Sequence, residues 1–146
     1  RYHNQLSLPA QDDLDVIKFT RLIRDADKID IFRISCGYFT RRTAYNKNSV
    51  LELGTDDRPE ISDRIFEQFM SDPPALMKDV ETLDDFKALM MSWVFDLNYK
   101  RAFELMDQRK YLERLYHTMP AGYQRARDVY HQARLFLDQR LNAVMA

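Results

Sequence analysis

The chain has 146 residues, which is long enough for one domain with an apolar core. Its formal net charge is −1 with 31% charged residues, and this balance argues against a nucleic-acid-binding surface. No apolar run approaches the roughly 20 residues of a membrane span, and the single Cys36 excludes an internal disulfide. We therefore expect a cytoplasmic protein without nucleic-acid or membrane partners.

The composition predicts an all-α fold, because only three Gly and five Pro are present and good helix formers are abundant. A first long helix is predicted from about residue 12 to about residue 40, after a lead-in that contains Leu8-Pro9. Residues 41–60 are the least helical part and the best place for a subdomain boundary. The tandem Arg41 and Arg42 in this part could meet a phosphate, and the alternative is a solvated loop.

The second half of the chain predicts five further helices. They cover about 60–71, 83–97, 99–108, 109–118 and 123–144. Thr82 followed by Asp85 resembles a capping box at the start of the 83–97 helix. That helix is apolar on nearly all sides, so we expect it to be buried at the centre of the C-terminal half.

One acidic residue of the first helix, Asp27, stands out. At about 100° per residue it falls in the middle of an apolar face, and Asp25 falls almost opposite. The residues predicted to form this face are Val16, Phe19, Ile23, Ile31 and Ile34. Because a carboxylate among apolar side chains needs a partner, we expect Asp27 to point inward. It would be either a structural acid held by a basic or backbone donor, or a metal ligand inside a helical bundle.

The string Arg24-Asp25-Ala26-Asp27-Lys28-Ile29-Asp30 resembles the last metal-binding motif of the HD-domain metal-dependent phosphohydrolase superfamily, whose members are all-helical. The resemblance matches Asp27 to a metal ligand of that family. The opening Tyr2-His3-Asn4, followed by Leu8-Pro9, resembles the segment that precedes this helix in one bacterial branch. In that branch the His lines the active site, so His3 is a candidate site residue.

The resemblance implies an HD-domain-like helical bundle that hydrolyses nucleotides or related phosphate esters with a divalent metal ion such as Mn²⁺, Mg²⁺, Fe²⁺ or Co²⁺. In this interpretation Asp27 anchors the metal, His3 orients the phosphate, and Lys28 could reach the substrate phosphate or form a surface salt bridge. Residues 1–40 would belong to the HD-type domain. Residues 41–146 would form a helical extension packed on it, and a homodimer contact through this extension stays open.

The family pattern also contains an earlier His and an adjacent His-Asp pair, and no His-Asp step occurs in this sequence. We therefore expect the chain to be the C-terminal part of a longer enzyme, inactive by itself. Two alternatives stay open: an inactive HD-like domain that binds a nucleotide, and a helical interaction module in which Asp27 is purely structural. His117 and His131 lack neighbours at a zinc-like spacing and are interpreted as structural.

Overall fold

The computed structural model describes residues 14–43 and 45–143. Within these ranges the chain forms six α-helices and two short 3₁₀-helices, and the all-α prediction is confirmed. The α-helices are α1 (Leu14–Arg41), α2 (Asp63–Ser71), α3 (Leu83–Ser92), α4 (Lys100–Gln108), α5 (Tyr111–Tyr116) and α6 (Gln124–Asn142). The 3₁₀-helices are Met77–Asp79 and Trp93–Asp96. None of the described helices is long and apolar enough to cross a membrane.

Helix α3 lies at the centre of the molecule, as its composition predicts. All ten of its residues are buried, and α2, α5 and α6 pack around it. The predicted capping box is present: the Thr82 hydroxyl accepts a hydrogen bond from the backbone N–H of Asp85, and the Asp85 carboxylate accepts one from the backbone N–H of Thr82. This reciprocal pair fixes the point at which the central helix begins.

Aromatic side chains join α1 to the rest of the core. Phe32 is fully buried, stacks on Tyr111 of α5 with 5.6 Å between ring centroids, and meets Trp93 edge-on at 6.1 Å. Cys36 and Phe39 continue the buried side of α1 toward its C-terminal end. Aromatic pairs in these geometries add stabilisation beyond the area that they bury.

The loop after α1 is held against that helix by an ion-pair cluster. Arg42 donates to the Glu52 carboxylate at 2.7 Å and lies 3.1 Å from Asp57, and Tyr38 also donates to Glu52. The hydrogen bonds from Arg42, and then from Tyr38, lower the pKa of Glu52. Arg42 is therefore half-buried and engaged rather than part of a fully solvated loop.

Cys36 is expected to be inert in the folded protein. Its Sγ is fully buried, 3.6 Å from the Tyr111 carbonyl oxygen, and burial raises the pKa of the thiol to about 12. Ellman's reagent at pH 8 should react with Cys36 only after unfolding, because the thiolate is the reactive form. Since the folded protein holds this proton more tightly, Cys36 should reduce stability progressively as the pH rises above about 9. Rapid labelling of the native protein would contradict this account.

Candidate functional site on the first helix

The inward face of α1 differs from the predicted one. Asp25, Ile29, Phe32, Cys36 and Phe39 are buried, and they follow one another at three-and-four spacing. The face predicted to be buried is exposed instead, and its members are Val16, Phe19, Ile23, Ile31 and Ile34. The prediction that Asp25 points away from the interior is therefore wrong. The physical reason is that Phe32, on the Asp25 side, packs against Tyr111 and Trp93 from distant parts of the chain.

Asp25 holds the start of α4. Its two carboxylate oxygens accept hydrogen bonds from the backbone N–H groups of Asn98 and Tyr99 at 2.8–3.0 Å and from Asn98 Nδ2 at 2.9 Å. Tyr99 is the N-cap residue of α4 and Asn98 precedes it, so the carboxylate lies at the positive end of that helix. Asp25 is thus a structural acid that caps another helix from outside that helix.

Two basic residues of the motif share one acid. Arg24 Nη2 lies 2.8 Å and Lys28 Nζ 3.1 Å from the same Asp96 oxygen. The Lys28 side chain is only 12% exposed, so this is a shielded contact rather than a surface salt bridge. The catalytic role expected of Lys28 stays a prediction. In this arrangement the ammonium would have to contact a phosphate while it is also held by Asp96.

Asp27 lies half-buried on the outward side of α1. One turn before and one turn after it stand Ile23 and Ile31, which are 38% and 40% exposed. Asp27 therefore occupies the middle of an apolar face, as predicted, but that face is turned away from the core of the described residues. We call the surface formed by Val16, Phe19, Ile23, Asp27, Ile31 and Ile34 the outward face of α1.

No complete metal-ligand set is present in the described part of the chain. There, no group of three or more His, Cys, Asp or Glu side chains is arranged to hold a metal ion. His3, the other predicted site residue, lies outside the described residues. Asp27 fits the chemistry of one oxygen ligand for a divalent ion, and further ligands have to come from elsewhere.

A groove runs beside this motif along the seam between α1 and α4. It has a volume of about 320 Å³, and the apolar residues of its lining include Leu22, Ile29 and Leu105. Arg101 and Arg109, which are exposed, also line it. Both oxygens of Asp25, which also lines the groove, already accept hydrogen bonds. Asp30, which also lines the groove, is exposed and accepts hydrogen bonds from Arg33.

The structural roles of the Arg24–Asp30 string could not be predicted from the sequence. The cap made by Asp25 and the ion pair made by Asp96 join positions about 70 residues apart. No local pattern links those positions, although the run of charged residues from Arg24 to Asp30 is itself a signal that several of them need partners.

Comparisons of the chain with protein-family models, with curated proteins and with solved structures gave no match.

Proposed function

We propose that this chain is the C-terminal part of an HD-type metal-dependent phosphohydrolase that acts on nucleotides or related phosphate esters. In this proposal Asp27 supplies one ligand to a divalent metal ion. The resemblance to the family motif lies in the Arg24–Asp30 string. The contacts of each residue in this string indicate its role.

One observation carries the proposal: Asp27 stands in the middle of the exposed apolar outward face of α1. An exposed strip of apolar side chains around a carboxylate is the surface expected where another structural element covers it. Metal sites inside helical bundles are built from side chains of several facing helices. The outward face therefore suits an arrangement in which Asp27 meets ligands from further helices that lie across α1.

The contacts of the two neighbouring acids give each of them a role separate from that of Asp27. Asp25 is taken up by the start of α4, and Asp30 is exposed and bonded to Arg33 at 2.8 Å. Of these three acids, Asp27 is the one whose side chain belongs to the outward face. Bound there with a full ligand set, a divalent ion would lower the pKa of a coordinated water and so supply the nucleophile for phosphoester hydrolysis.

The exposed outward face also favours a second candidate, a helical interaction module. Several large apolar side chains along one exposed helix side are typical of a protein contact. In that case Asp27 would be a polar residue within an interface, and neither metal binding nor hydrolysis would be expected. The two candidates share the same surface and differ in what Asp27 contacts.

The decisive experiment measures the metal content of the complete protein and its rate of phosphoester hydrolysis. We expect the purified protein to retain a divalent metal by elemental analysis. We also expect hydrolysis of members of a panel of nucleotides and p-nitrophenyl phosphate in the presence of Mn²⁺. Asp27→Ala should lower the metal content and the hydrolysis rate at least tenfold, because the metal loses a ligand.

The matched control is Asp30→Ala, which removes an exposed acid from the same helix three residues away. Its ion pair with Arg33 lies at the surface, where such pairs contribute little to stability. Metal content and hydrolysis should stay near wild type. A complete protein that binds no metal, or an Asp27→Ala variant that keeps both metal and activity, would contradict the phosphohydrolase proposal.

A further inference from the structure

A second cavity lies at the C-terminal end of α1, away from Asp27. It has a volume of about 490 Å³, within the size range of small-molecule sites. Thr40 of its lining is 13 residues beyond Asp27, which corresponds to about 20 Å along the helix axis. The residues that line it are Phe39, Thr40, Arg42, Lys87, Arg114, His117 and Thr118. We call this cavity the basic pocket.

The chemistry of this lining is one-sided. Three of its residues are cations, a fourth is a histidine, two carry hydroxyls, and no carboxylate belongs to the lining. The nearby acids Asp57 and Asp84 line an adjoining cavity that shares Arg42, Lys87 and Thr118 with this one. We propose that the basic pocket binds the phosphate group of a small phosphorylated molecule.

Lys87 is the buried cation of the pocket. Its side chain is only 6% exposed, its Nζ donates to the Thr118 carbonyl oxygen at 3.2 Å, and it lies 5.0 Å from the centroid of the Phe39 ring. The nearest Asp84 oxygen is 3.7 Å away, beyond a good hydrogen bond. Burial lowers the pKa of Lys87. Asp84 is the ion-pair partner that the described residues give this buried ammonium, and an anion that enters the cavity would add a second one.

The other donors stand around the same space. Among the described residues, Arg114 and His117 make no ion pair, and Arg114 is half-buried while His117 is exposed. Arg42 uses Nε and Nη2 on Glu52 and Asp57, which leaves Nη1 free of those acids. Guanidinium and ammonium groups that converge on one cavity are the usual partners of phosphate oxygens.

This inference does not depend on the proposed function. It rests on residues in or directly after α1, α3 and α5 that lie outside the Arg24–Asp30 string, and it requires no metal ion. A titration in the presence of EDTA therefore tests the basic pocket alone. Asp27→Ala should leave the result unchanged.

The experiment is a titration of the ¹⁵N-labelled protein with pyrophosphate at low ionic strength, followed by amide chemical shifts. We expect saturable shifts confined to Thr40, Lys87, Arg114 and Thr118 and their neighbours. The double variant Arg114→Gln, His117→Gln should weaken binding at least tenfold. Both side chains reach the pocket from a half-buried or exposed position, so the variant should still fold, which circular dichroism will verify.

The control variant is Arg127→Gln, which removes an exposed cation of α6 that does not line the pocket. It should bind pyrophosphate like the wild type. Raised salt should weaken binding, since screening reduces charge–charge attraction. Shifts spread over the whole surface, equal losses in the control, or unchanged binding by the double variant would overturn the proposal.

Discussion

Asp25→Ala is expected to lower the free energy of unfolding by about 2–4 kcal/mol, because it leaves three half-buried N–H donors without their acceptor. Asp25 is only 3% exposed, and its carboxylate accepts from the backbone N–H groups of Asn98 and Tyr99 and from Asn98 Nδ2. No other residue of α1 occupies that position at the start of α4. Urea denaturation followed by circular dichroism at 222 nm measures the loss.

Asp27→Ala provides the contrast, since it removes a half-buried acid two residues away on the opposite side of the same helix. We expect its free energy of unfolding to stay within about 1 kcal/mol of wild type. Asp25→Asn should lie between Asp25→Ala and wild type, because the amide keeps one acceptor oxygen. Equal destabilisation by Asp25→Ala and Asp27→Ala would contradict the assignment of the two faces of α1.

In the complete protein, the Asp25→Ala and Asp27→Ala variants distinguish a loss of stability from a loss of metal binding. If Asp27 is a ligand, its alanine variant should lose metal while it stays folded. The Asp25 variant should lose stability first and lose metal only as far as it unfolds. Measured below its unfolding transition, Asp25→Ala should therefore retain most of its metal. A severe and equal loss of metal from two folded variants would leave Asp27 without a special role.

The helices of this chain could be predicted from sequence because their signals are local. Asp72-Pro73-Pro74 follows the last residue of α2, and Thr82 with Asp85 marks the start of α3. Continuous burial of α3 followed from apolar residues on nearly all of its sides. Each of these signals acts within a few residues and needs no knowledge of the tertiary fold.

The orientation of α1 could not be predicted in the same way. Apolar residues lie on two opposite sides of this helix, one centred on Phe32 and one that includes Ile31 and Ile34. Periodicity shows that both faces are apolar, and it does not show which one meets the core. The choice depends on Tyr111, which stacks on Phe32, and on Trp93, which meets it edge-on, and both come from distant parts of the chain.

The basic pocket was equally hidden from sequence reasoning. Arg42 was recognised as a residue that could meet phosphate, and His117 was interpreted as structural. The pocket arises because the end of α1, the middle of α3 and the end of α5 come together, and it includes Lys87 as well. The charge of the whole chain is close to neutral, so a local concentration of cations leaves no mark on the composition.

Asp85→Ala is expected to have the largest effect on stability of any single polar substitution considered for this chain, about 3–5 kcal/mol. Asp85 is fully buried, and its carboxylate accepts hydrogen bonds from the backbone N–H groups of Ser62, Glu81 and Thr82 at 2.7, 3.1 and 3.2 Å. One side chain thus joins the start of α2 to the start of the central helix. Its removal leaves three N–H groups without their acceptor, and that of Thr82 is buried.

Two further variants provide a scale for the stability that Asp85→Ala is expected to lose. Thr82→Ala removes the hydroxyl that accepts from the Asp85 N–H and donates to the Glu60 carbonyl oxygen, and it should cost about 1–2 kcal/mol. Asp63→Ala removes an acid whose side chain is 82% exposed and should change stability by less than about 1 kcal/mol. Urea denaturation of the three variants should rank them in that order. An Asp85→Ala protein as stable as Asp63→Ala would show that the buried carboxylate does not hold the two helix starts together.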